Sequence, residues 1–213
     1  MSRVIAFGSS PIRGNPGFPE IIANHLGREY LDKSKQVSSN SKISRIIVST
    51  EYSPDDFALV AWTSTIRHEF RTEHGWMASN MATYNKGTGS FEDHWYAGPG
   101  NWEYTGVSTA LKEIILAQTF FKEKQLSYLF TFDNNDVIDS LLISDPDPYI
   151  ASLVSMINWK QILLFENNGF INWCRKKNYS IDQGHMSDES HQIAADYIIE
   201  NFKLPAASNA TTV

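Results

Sequence analysis

Phe57-Ala58-Leu59-Val60-Ala61-Trp62 is an unbroken apolar run near the first third of a 213-residue chain. A strand with one wet face alternates apolar and polar residues, whereas a strand covered on both faces does not. This run therefore reads as a central strand of a parallel sheet. Two further stretches read as buried strands, Arg3–Phe7 at the start and Leu126–Phe132 later.

Helical spacing fills the intervals. Apolar residues at 18, 21, 22 and 26, and at 43, 46 and 47, each mark one helix face, with a short strand near Glu29–Leu31 between them. Further helices are expected at Ser108–Lys124, Tyr149–Ile157, Phe170–Lys177 and Asp188–Asn201. Strand, helix, strand, helix, strand is the doubly wound pattern. The expectation is one α/β domain over 1–203, three-layer α/β/α, around a mostly parallel sheet of about five strands, with a polar tail at 204–213. Arg71–Gly106 breaks the rhythm: aromatics and glycines rise together and apolar periodicity disappears. That stretch reads as a long aromatic-rich insertion without a regular helix-strand unit.

Composition removes several classes of function. A formal net charge of -6 with no Lys/Arg cluster longer than Arg175-Lys176-Lys177 argues against a nucleic-acid binder. Cys174 is the lone cysteine, which leaves neither an intrachain disulfide nor a cysteine zinc site. No apolar stretch reaches the length of a membrane span, and the N-terminal run is too short for a signal peptide. A soluble protein made in a cytosol is expected. His74 and His94, with Glu73, Glu92 and Asp93, lack metal-ligand spacing, and no cofactor is expected.

The chemistry-bearing residues lie at the two ends of the chain. Val4-Ile5-Ala6-Phe7 stops at Gly8-Ser9-Ser10, and Asp182-Gln183-Gly184-His185 sits far downstream. A serine at the carboxyl end of a first strand is a candidate nucleophile, provided a base removes its proton. His185 is the candidate base, with Asp182 to fix its tautomer. His191 competes, because Asp188-x-x-His191 repeats the spacing, but it falls on an expected helix.

Phe7-Gly8-Ser9-Ser10 together with Asp182-x-x-His185-x-x-x-x-x-His191 resembles the SGNH, or GDSL-type, hydrolases over nearly the whole chain. The likeness is closest to uncharacterised phage members, in which Trp62-Thr63-Ser64-Thr65-Ile66-Arg67-His68-Glu69 stands for the usual third block. It implies a flavodoxin-like three-layer fold, Ser10 as nucleophile, His185 as base and Asp182 as its orienter. The family's second-block glycine and third-block asparagine are missing here. The oxyanion hole is accordingly expected from the Ser10 N–H, the N–H of Ser38 or Ser39, and the side chain of Ser64 or Asn40.

By the same likeness, the expected activity is a serine esterase that removes acetyl groups from a glycan or another small ester. Trp62, Trp95 and Trp102 are candidate substrate contacts. Arg67 reads either as an anion-binding residue at the site or as half of a surface pair with Glu69. The aromatic insertion reads either as a lid or as an interface patch, the latter in a homo-oligomer or virion. The rival function is a weakly active or inactive member of the same fold, serving as a structural or adaptor protein of a phage particle.

Overall fold

The computed structural model describes residues 2–73, 75–80, 102–141, 147–182 and 185–206. Four strands, β1 (Arg3–Phe7), β2 (Glu29–Asp32), β3 (Phe57–Trp62) and β6 (Ser127–Phe132), form one sheet in the order β2-β1-β3-β6. Every pair is parallel, with Val4 opposite Phe57 and Leu59 opposite Leu129. The expected fifth strand is reduced to one parallel bridge, Phe130 to Ile162, sealed by Leu163 N–H donating to the Phe130 carbonyl at 2.9 Å.

Successive residues of the central strands enter opposite layers, as the twofold period of a strand requires. Ile5, Phe7, Ala58, Val60, Trp62 and Phe130 meet α2 (Asn40–Ser49) and α3 (Trp102–Glu123). Val4, Ala6, Leu59, Ala61 and Leu129 meet α1 (Phe18–His25), α6 (Phe170–Lys176) and α7 (Asp188–Asn201). Both layers are closed: β3 is buried at all its positions. Each of its large side chains contributes about 1.5–3 kcal/mol by leaving water.

Helix starts are written in the sequence. Ser39 caps α2 by accepting the Lys42 N–H at 3.1 Å, and Ser187 caps α7 by accepting the Ser190 N–H at 3.3 Å. Asp147 caps α5 (Pro148–Ser155) through the Tyr149 N–H at 2.8 Å. Such caps satisfy donors that a helix leaves unpaired in its first turn.

Three features depart from expectation. The helix expected from Ser108 begins at Trp102, and a short helix α4 (Asp136–Leu141) follows β6. The start of the expected insertion is regular: β4 (Arg67–Thr72) and β5 (Gly75–Asn80) form an antiparallel hairpin, Arg67 opposite Asn80. Near the C-terminus, β7 (Ile181–Asp182) and β8 (His185–Met186) form a second, very short hairpin. No helix among the described residues is long and apolar enough to cross a membrane.

Candidate active site

β1 delivers the serines. Gly8 follows it, and a Cβ there would stand 2.8 Å from Ile12 Cδ1 and 3.0 Å from the Ala61 carbonyl, so the chain can turn this tightly only at glycine. Ser9 points inward and is wholly buried, while Ser10 is partly exposed at the head of a 3-10 turn, Ser10–Ile12.

Two loops are laced to this turn. Lys35 N–H donates to the Gly8 carbonyl at 3.2 Å, which ties the β2–α2 loop to the serines. At the apex of that loop Val37 has φ 51, a left-handed conformation that a β-branched residue adopts only under constraint. Asn40 then clips the end of β3: its Oδ1 accepts the Thr63 N–H at 2.9 Å and its Nδ2 donates to the Thr63 carbonyl at 3.1 Å.

These bonds decide which side chains are spent. Asn40 binds Thr63 through both its Oδ1 and its Nδ2, and Ser64 gives its hydroxyl to Asp136 Oδ2. Ser38 Oγ donates to the Lys35 carbonyl at 2.8 Å, and Ser39 Oγ is the cap of α2. Of the side chains expected at an oxyanion, those of Asn40 and Ser64 are thus tied to the protein itself, while the backbone N–H groups expected from Ser10 and from Ser38 or Ser39 belong to the same loops.

At the other end of the chain, β8 puts Met186 into the core beside α7 and leaves His185 exposed, the alternation of a strand. Its partner across the hairpin is Asp182, and β8 lies against the 3-10 turn that Ser10 opens. The Asp182 side chain lies outside the described residues.

His191 has a different occupation. It is fully buried, accepts the Phe18 N–H on Nδ1 at 3.2 Å and packs on the rings of Phe18 and Phe170. Burial pushes its pKa down to about 4, against Asp188 and the Arg13 carbonyl, which favour its proton. A neutral imidazole whose Nδ1 is already an acceptor, with Nε2 enclosed, is a core histidine.

Among the other expected contacts, Trp62 does not face a substrate. It is wholly buried and meets Phe130 edge-on at 5.4 Å, because the central strand has no open face. Trp102 opens α3 but its side chain lies outside the described residues, as do His74, Tyr84, His94, Trp95 and Tyr96 altogether. Trp76, half exposed, lies under the Arg45 guanidinium at 4.6 Å.

Arg67 and Glu69 are not each other's partners. Glu69 pairs with Arg45 of α2 at 2.8 Å, while Arg67 Nη1 donates to Thr63 Oγ1 at 3.0 Å. Arg67 also lines a cavity of about 260 Å³ with Asn40, Ser41, Thr105 and Thr109.

The residue that the sequence did not announce is Asp133, the first after β6. It is buried, and Ser9 Oγ donates to its Oδ2 at 2.5 Å. Burial pushes its pKa up to about 7, opposed by Ser9, Arg67 and Thr63. A carboxylate immediately past a buried strand, at the carboxyl end of a parallel sheet, was the available signal.

No protein-family profile and no curated protein sequence matches the chain. Among solved structures it is similar to a member of the lipolytic protein G-D-S-L family from Veillonella parvula. The identity is 13%, over 95% of this chain and 98% of that one, with a TM-score of 0.48. It is also similar to an acetyl xylan esterase from the rumen bacterium Butyrivibrio proteoclasticus. There the identity is 15%, over 93% of this chain and 62% of that one, with a TM-score of 0.48. Neither is a phage protein. The structures that the chain is similar to are thus of the GDSL/SGNH kind.

Proposed function

We propose that this chain is a serine esterase in which Ser10 is the nucleophile, His185 the general base and Asp182 the residue that orients the imidazole. The observation that carries the reading is the packing of β8, with His185 exposed on it, against the turn that Ser10 opens, while Asp182 pairs with His185 across the hairpin. With His191 sealed in the core, His185 is the histidine of the motif whose ring is open to solvent.

In the reaction, His185 takes the Ser10 proton as the hydroxyl attacks the ester carbonyl. Backbone N–H groups of Ser10 and of the Ser38–Asn40 loop stabilise the tetrahedral oxyanion. Collapse expels the alcohol, which receives the proton from His185. Water activated by the same histidine then hydrolyses the acyl-serine. The alcohol half is a polyhydroxylated molecule such as a glycan, and the acyl half its acetyl group. The Thr105 and Thr109 hydroxyls and the Arg67 guanidinium, around the cavity beside Arg67, suit such a partner.

A fluorophosphonate probe followed by peptide mapping tests this reading. Labelling at Ser10, with hydrolysis of a short aryl ester lost in Ser10→Ala and His185→Ala, is the expected result. A protein that neither takes the probe nor hydrolyses esters would leave the second reading, an inactive member of the fold built into an assembly such as a virion. One observation favours that alternative: the side chains of Asn40 and Ser64, expected at the oxyanion, are engaged with the protein itself.

A further inference from the structure

The esterase reading leaves Asp133 without a task, although it occupies an expensive position. A carboxylate removed from water costs several kcal/mol unless it is paired. Here Oδ2 receives the Ser9 hydroxyl at 2.5 Å, whereas Oδ1 is buried with no hydrogen-bond partner. The backbone of Asp133 is fixed on both sides. Its N–H donates to the Trp62 carbonyl at 2.7 Å, and its carbonyl accepts the Ile171 N–H at 2.8 Å. The carboxylate therefore cannot withdraw to water without unpicking the end of β6.

Among the described residues, the charged groups around it are few. Arg67 of β4 is the charged residue that acts on Asp133, and it approaches by way of Thr63: Arg67 Nη1 to Thr63 Oγ1 is 3.0 Å, and Thr63 Oγ1 to Ser9 Oγ is 3.4 Å. Asp136, at the head of α4, turns its carboxylate to Ser64 and to the Thr65 N–H instead. From β1 the facing group is the neutral Ser9, from β3 the neutral Thr63, and α6 meets Asp133 through the Ile171 backbone.

We propose that Asp133 is a positioning residue for the nucleophile: by gripping Ser9 it draws the Gly8-Ser9-Ser10 turn onto the sheet and sets the aim of Ser10. The proposal rests on Ser10 being the nucleophile. A hydroxyl bound to a charged carboxylate is held about twice as strongly as one bound to a neutral acceptor. Ser9 and Ser10 share a peptide unit, so slack in one becomes misdirection of the other. The grip is complete when Asp133 is ionised and relaxes when it takes a proton. Since burial places that change near neutrality, the turn tightens as pH rises through about 7.

The test compares the rate at which a fluorophosphonate probe labels Ser10 in the wild type, Asp133→Asn, Ser9→Ala and the double variant. Kinetics of a short aryl ester and a thermal melt accompany each. Asp133→Asn keeps the shape and removes the charge. Labelling and kcat should fall about ten- to a hundredfold in each single variant. KM should change little, and the double variant should be no worse than either single one. Ser9→Thr, which keeps the hydroxyl, should restore most of the rate. If Ser9→Ala does not fold, Asp133→Asn and Ser9→Thr still decide the matter. A wild type labelled at Ser10, with Asp133→Asn labelled at the same rate across pH, overturns the positioning role alone. A wild type that the probe never labels removes the esterase reading, and this proposal with it.

Discussion

The Phe18 N–H donates to His191 Nδ1 at 3.2 Å, so the first turn of α1 is capped by a side chain from the last helix. Gly17, which precedes α1, has no side chain to do this. His191→Leu should therefore destabilise the protein by about 1–3 kcal/mol, the cost of a buried N–H left without its acceptor. Ester hydrolysis per folded molecule should hold. His185→Ala should do the reverse, abolishing hydrolysis with little change in melting temperature. Melts and kcat on both variants separate the two histidines.

Asp133 and His191 pull stability in opposite directions with pH. Asp133 titrates near 7 when folded, above its ordinary value, so the folded state holds a proton that the unfolded chain has lost. Its contribution is therefore greatest at low pH and declines as pH rises towards about 7. His191 titrates near 4 when folded, below its ordinary value, so the unfolded chain holds the extra proton. Its contribution is present above about 6.5 and is lost as pH falls towards 4. Melts of Asp133→Asn between pH 4 and 7 should rise more steeply with pH than those of the wild type. Melts of His191→Gln should tilt the other way, and parallel curves for all three would contradict both assignments.

Asn40 holds Thr63 by donor and acceptor at once, in a buried setting. Asn40→Ala orphans a buried N–H and a buried carbonyl, and should lower stability by about 2–4 kcal/mol. It should also slow Ser10 labelling, because Thr63 stands against Ser9. Asn40→Asp keeps the acceptor for the Thr63 N–H and should recover part of the loss. Denaturant unfolding of the three proteins checks the order.

Gly106 lies where α3 touches the loop after β3, and a Cβ there would fall 2.4 Å from the Thr65 carbonyl. An alanine normally strengthens a helix interior by about 1 kcal/mol over glycine. Here Gly106→Ala should instead destabilise, by about 1–3 kcal/mol, because backbone must move aside. A higher melting temperature in Gly106→Ala would show that the helix has room to shift.

The architecture was legible wherever burial was two-sided. Val4–Phe7, Phe57–Trp62 and the end of β6 could read as little else, and α7 begins at the Asp188 expected from its apolar stripe. The β4–β5 hairpin was hidden because Arg67-His68-Glu69-Phe70-Arg71-Thr72 has no apolar face to betray a strand. Its Glu69 and Trp76 are instead held by Arg45, a partner in another element. In the site, the serine turn was legible from the glycine that ends β1. The spent state of Ser38, Asn40 and Ser64 was not, since a side chain's partner is a property of the folded loops. Asp133 went unseen for the same reason: its meaning lies in Ser9, 124 residues away.

The strand order has a consequence for how the molecule comes into being. β1 pairs with β3 some fifty residues away, and β3 with β6 some seventy further on, so the sheet cannot zip from local neighbours. Such topologies fold slowly, because chain closure precedes its reward. During synthesis α1 emerges about 160 residues before α7, the helix that covers Phe18 and Ile22 and supplies His191. A nascent chain halted before Asp188 would carry its serine turn without α7, and with the apolar side of α1 uncovered. Protection of that side by a chaperone, until translation has passed α7, is a demand imposed by the topology itself.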